Sequence, residues 1–172
     1  MSTTTRTIQV EHVVIRSTKG FAEVRATLER SLPKPGNHHL NCFGRYKAVA
    51  GELEAGPELS IFLGRDHGSL LRIGGHAREA VQYDIGNPLT ASKMTRHQLA
   101  AGLYAPLRVV LYEDQEGASV LEYDRPSSLF GQFGDARAND VARGLDVALE
   151  RAIRYAASSA DTPDGIDQSN HK

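Results

Sequence analysis

Apolar positions change their spacing several times along this chain, and each change marks an element. Residues 7–16, TIQVEHVVIR, set Ile8, Val10 and the run Val13-Val14-Ile15 among polar neighbours, the pattern of a strand. From Phe21 the spacing turns helical through Val24, Leu28 and Leu32, with Ser17 or Thr18 placed to cap a helix. Pro33-Lys34-Pro35-Gly36 stops that helix. Residues 37–56 show no clean period, although KAVAGELEAG can hold a short helix. Leu59–Gly64 reads as a buried strand, after which Asp66-His67-Gly68 turns into a short helix carrying Leu70, Leu71 and Ile73. Ala80–Ile85 is a further strand, broken by Gly86-Asn87-Pro88.

Beyond that turn, Thr90 or Ser92 is placed to cap a helix running through Met94, Gln98, Leu99 and Leu103. Leu107–Glu113 and Ala118–Tyr123 flank Asp114-Gln115-Glu116-Gly117 and form the clearest hairpin in the chain. The last helix starts at Asp135 or Asn139, and Val141, Leu145, Ala148, Leu149, Ala152, Ile153 and Ala156 make one apolar stripe on it. Polar residues 1–6 and 158–172 read as disordered ends around a single domain over 7–157. Strands mixed with helices, a late hairpin and a long C-terminal helix predict a two-layer α+β fold, its mainly antiparallel sheet covered by helices on one face.

Composition narrows the function classes more than it selects one. The 172 residues are 40% hydrophobic and 24% charged with net charge -1, so no overall field draws the chain to nucleic acid or an anionic membrane. Arg65, Arg72, Arg78, Lys93, Arg96 and Arg108 crowd the middle, but tryptophan is absent and aromatics are few, which disfavours a nucleic-acid platform. No segment has the roughly 20 apolar residues of a membrane span, and the N-terminal stretch lacks the apolar run of a signal peptide. A single cysteine, Cys42, permits neither an internal disulfide nor a cysteine-based zinc cluster. These features predict a cytoplasmic, bacterial-type protein.

Candidate chemistry gathers at a few places. Asp66 beside His67, at a strand-to-helix turn, can be an acid–base pair in which the carboxylate orients the imidazole, or Asp66 can simply cap the helix. Cys42 with His38 or His39 can be a nucleophile and base, or a small buried apolar residue. The histidines show no HxH or HExxH spacing and GRDHGSLLRIGG no nucleotide-binding fingerprint, so neither metal nor cofactor is expected. Glu113-Asp114 sits at the hairpin turn, where Asp stabilises the bend and both carboxylates stay hydrated. Tyr123 alternates with Leu121 and shares its inward face.

The order IGNPLTASKM, then LYAPLRVVLYEDQEGASVLEYDRPSSLFGQFG, resembles the domain-of-unknown-function family 302 over roughly residues 58–155. The Gly-Asn-Pro turn at 86–88, Pro-Leu-Arg-Val at 106–109, Tyr-Glu-Asp at 112–114 and Tyr-Asp-x-Pro at 123–126 carry the likeness. The resemblance implies a curved antiparallel sheet with helices packed on it, and no reaction. Shorter members often carry a cysteine in the turn; here it reads Ile-Gly-Asn-Pro, so no cysteine acts there. A curved sheet gripped by a helix leaves room for a small-molecule ligand. Its expected contacts are Asn87, Thr90, Lys93, Arg96, Tyr123 and Arg125, with Asp66 and His67 the expected catalytic pair. The other reading is a non-catalytic homodimer, an interaction or regulatory module that pairs copies through an exposed strand at 118–124.

Overall fold

The protein, described by a computed structural model over residues 1–34 and 55–158, is built on one five-stranded antiparallel sheet. Strand β1 (His12–Ser17) leads to helix α1 (Phe21–Ser31), and β2 (Ser60–Asp66) to the short α2 (His67–Ile73). Strand β3 (Ala80–Gly86) runs into α3 (Pro88–Thr95) and a 3-10 helix at Leu99–Tyr104. The hairpin β4 (Leu107–Glu113) and β5 (Ser119–Asp124) is followed by α4 (Pro126–Phe130) and the long α5 (Ala136–Ala157). His38, His39, Cys42, most of the short helix expected before Gly56, and the tail beyond residue 158 lie outside the described residues.

Strand order is β1-β5-β4-β3-β2, so the edges are β1 and β2. The expectation that 118–124 forms an exposed edge is therefore corrected. Ser119–Asp124 is flanked on both sides, with Leu121 opposite Ile15 of β1 and Leu111 of β4. Hairpin patterning shows which strand precedes β5; it holds no sign of the N-terminal strand that closes on its other side.

Alternation decides which face is covered. Val81, Tyr83 and Ile85 of β3, Leu107, Val109 and Leu111 of β4, and Leu121 and Tyr123 of β5 point to one side and are buried. Against them pack Val24 and Leu28 of α1, Met94 of α3, and Ala138, Ala142, Leu145, Leu149 and Ile153 of α5. Each fully buried valine, leucine, isoleucine or methionine among them contributes roughly 1.5–3 kcal/mol of transfer free energy. The α5 stripe is the predicted one, and Asp135 caps it by accepting from the Arg137 and Ala138 amides. The α1 cap differs: Gly20 stands at the N-cap and no side chain bonds there. Ser17 instead donates its hydroxyl to the Ala157 carbonyl at 2.6 Å, tying β1 to the end of α5.

The opposite face of the sheet is polar and held by cross-strand pairs. His12 lies between Asp124 at 2.8 Å and Glu122 at 3.0 Å, and Tyr112 donates its hydroxyl to Glu122 at 2.5 Å. The Asp124 and Glu122 bonds raise the imidazole pKa above its ordinary value. Arg65 reaches both carboxylate oxygens of Asp84 at 2.9 and 2.8 Å. At the hairpin turn, Asp114 accepts from the Glu116 and Ala118 amides and pairs with Arg16, as a turn aspartate should. Gly117 supplies the left-handed residue there, at φ 81°. Among the described residues, no helix is long and apolar enough to cross a membrane.

Candidate functional site

The candidate site forms around the corner between β3 and α3. Pro88 has no amide hydrogen to donate to a sheet, and its fixed φ suits the first turn of a helix. Asn87, extended at φ -141° and ψ 126°, is the N-cap: its side-chain oxygen accepts from the Leu89 amide at 2.9 Å and the Thr90 amide at 3.2 Å. Its side-chain nitrogen donates to the Pro57 carbonyl at 3.1 Å. One side chain thus ends a strand, starts a helix and holds the segment that leads into β2. The cap sits earlier than Thr90 or Ser92, because an asparagine just before Pro88 satisfies the first free amides of the helix.

Behind that corner opens a cavity of about 460 Å³. Asn87, Thr90, Ala91 and Met94 contribute one side of α3, at the spacing of a single helical face. Ile85, Gly86 and Leu107 form the sheet wall. Ala105 and Pro106, joined by a cis peptide bond, close one end. Phe62, Phe130 and Leu145 arrive from β2, α4 and α5. Phe62 stands at the point where the β2–β3 register shifts, between Ile61 and Leu63. Among the described residues, none of the lining side chains is ionisable.

Of the expected ligand contacts, the structure brings Asn87 and Thr90 together at this wall and places the rest elsewhere. Lys93 is exposed in the last turn of α3 and is not among the residues that line the cavity. Arg96 is exposed, and its Nε donates to the His97 ring at 3.2 Å. Arg125 pairs with Glu11 at 2.9 Å and Glu150 at 3.7 Å. Tyr123 does face inward with Leu121, but it is only 3% exposed and its hydroxyl finds no hydrogen-bond partner among the described residues. Burial pushes that phenol above its ordinary pKa.

Asp66 and His67 occupy a second corner, between β2 and α2. Asp66 is the N-cap: one oxygen accepts from the Ser69 amide at 2.8 Å, the other from the Ser69 hydroxyl at 2.7 Å. These two Ser69 bonds hold the carboxyl below its ordinary value. His67, half-buried, is not among its hydrogen-bond partners. Asp66 borders a small polar hollow of about 110 Å³ shared with Arg25, Glu29 and Tyr83. There the Tyr83 hydroxyl donates to Glu29 at 2.8 Å, and burial, reinforced by that carboxylate, pushes the phenol pKa well up. Among the described residues, no three His, Cys, Asp or Glu side chains are grouped so as to hold a metal ion.

The cavity residues that sequence reasoning missed are the apolar ones. Met94 and Leu145 read as core positions at helical spacing, and only the assembled fold shows that a void lies beside them. The Gly86-Asn87-Pro88 corner was the legible signal, since a strand broken by that turn must leave its layer there.

Comparison with known proteins agrees with this architecture. A family model described as domain of unknown function DUF302 matches residues 45–156. Among solved structures, the chain is similar to the crystal structure of an uncharacterized conserved protein DUF302 from Bacillus stearothermophilus. The two are 17% identical with a TM-score of 0.63, over 84% of this chain and 97% of that one, a likeness of fold. No curated protein matches the chain.

Proposed function

We propose, for a chain that belongs to the DUF302 family, that the cavity behind the Gly86-Asn87-Pro88 corner is a binding site for a small molecule. The observation that carries this reading is an apolar cavity of about 460 Å³, walled by three helices, three strands and the corner itself. Ligand sites fall in the range of roughly 300–1,000 Å³ and are mostly apolar with a few placed polar groups. Here Asn87 and Thr90 are those groups. Asn87 is committed largely to architecture, which keeps the wall rigid, and Thr90 presents a hydroxyl.

Native mass spectrometry of the full chain as purified from its expression host, beside Ala91→Trp, tests the proposal. Ala91 is a half-buried wall residue, and an indole there fills the void. The wild type is expected to carry added mass that Ala91→Trp lacks. Identical spectra for the two would overturn the reading. Pairing between copies is the second reading, and among the described residues β1 and β2 are the edge strands. The same spectrum separates a dimer from a monomer.

A further inference from the structure

The lining of the cavity constrains its occupant more tightly than its size does. Among the described residues, its walls hold no lysine, arginine, histidine, aspartate or glutamate. An ion drawn into such a lining loses its hydration and gains no counter-charge, a cost far above that of burying a hydroxyl or a carbonyl. The nearest cations along α3, Lys93 and Arg96, are exposed and stand outside the lining. Polar capacity at the wall is also nearly used up. The Asn87 oxygen serves the Leu89 and Thr90 amides, and one of its two N–H groups serves Pro57. The Thr90 hydroxyl makes no hydrogen bond among the described residues, so it can both donate to and accept from a ligand.

We infer that the ligand is an uncharged molecule with an apolar body and a single hydroxyl or carbonyl group, of the class of an aliphatic alcohol or its ester, bound with that group at Thr90. This rests on the reading of the cavity as a ligand site. Apolar burial supplies the affinity, and Thr90 fixes which end of the molecule enters.

Calorimetric titration of the full chain at pH 8 with 1-decanol, decanoate and decyltrimethylammonium decides the matter, since the three share a chain and differ in charge. Decanol is expected to bind at least tenfold more tightly than either ion. Thr90→Val keeps the side-chain shape and is expected to weaken decanol about fivefold, the factor for one lost neutral hydrogen bond of about 1 kcal/mol. Equal or tighter binding of either ion, no binding of decanol up to its solubility, or an unchanged decanol affinity in Thr90→Val would overturn the inference. Ala91→Trp separates this failure from failure of the site itself. If all three probes bind alike and all are lost in Ala91→Trp, the cavity binds ligands but the charge argument is wrong. If decanol binds Ala91→Trp as it binds the wild type, the cavity is not the site. Phe62→Trp, at another lining position, replaces Ala91→Trp where that variant does not fold.

Discussion

Two corners of the molecule use the same device to opposite ends. At each, a strand finishes on a polar residue whose side chain caps the helix that follows at once: Asp66 between β2 and α2, Asn87 between β3 and α3. Asp66 bonds to Ser69 within its own turn, and the helix it starts exposes Leu70 and Ile73 to solvent. Asn87 bonds forward to its helix and sideways to Pro57, and its helix lays Met94 against the core. A cap that reaches beyond its own helix can hold a wall against which a cavity stays open. One that closes on its own turn only starts a helix. The catalytic-looking pair, aspartate beside histidine, stands at the second kind of corner, and the better-built pocket at the first.

This contrast can be broken in three ways, in falling order of effect. Gly68, in the first turn of α2, has no room for a side chain: a Cβ would lie 2.7 Å from the Arg78 carbonyl oxygen and 3.1 Å from the Ala80 nitrogen. Gly68→Ala is expected to cost about 3 kcal/mol, the upper end for forced overpacking, read from chemical denaturation. A loss under about 0.5 kcal/mol would show that the Asp66 corner yields freely. Asn87→Ala removes the cap and leaves the Pro57 carbonyl without its donor, for an expected loss of about 2 kcal/mol. Probe binding in the cavity should weaken with it. Stability that falls while binding holds would uncouple the cap from the wall.

The smallest effect concerns the Asp66 carboxyl, whose pKa the Ser69 bonds lower in the folded state. A carboxyl held low when folded stabilises the protein above its unfolded pKa, ordinarily 3.8. That contribution fades as pH falls through the lower folded value. The thermal midpoints of the wild type and Asp66→Ala should therefore differ at pH 6 and draw progressively closer as pH falls below 3.8. A gap independent of pH would assign the difference to helix propensity or packing instead.

Local chemistry explains what was legible in the sequence. The Gly86-Asn87-Pro88 corner, the β4–β5 hairpin and the α5 stripe each follow from residues close together in the chain, where turn chemistry and periodicity act. The place of β5 inside the sheet depends on β1, and the cavity depends on Phe62, Phe130 and Leu145 meeting residues of α3. Those are encounters between distant segments, and periodicity does not encode them. Lys93 and Arg96 looked apt as ligand contacts from their neighbours in sequence. Which residues of this eight-residue helix, about two turns long, line the cavity became readable only once Asn87 marked where it starts.

The order of the strands also sets the timing of folding during synthesis. β1 is made first, yet its register partners run from Ser119 to Asp124, more than 100 residues later. A ribosome adding about 5–20 residues per second leaves that first strand without its neighbour for roughly 5–20 seconds. For that interval Val13 and Ile15 belong to an unpaired segment, so the nascent chain, more than the finished protein, is where this fold needs shelter from aggregation.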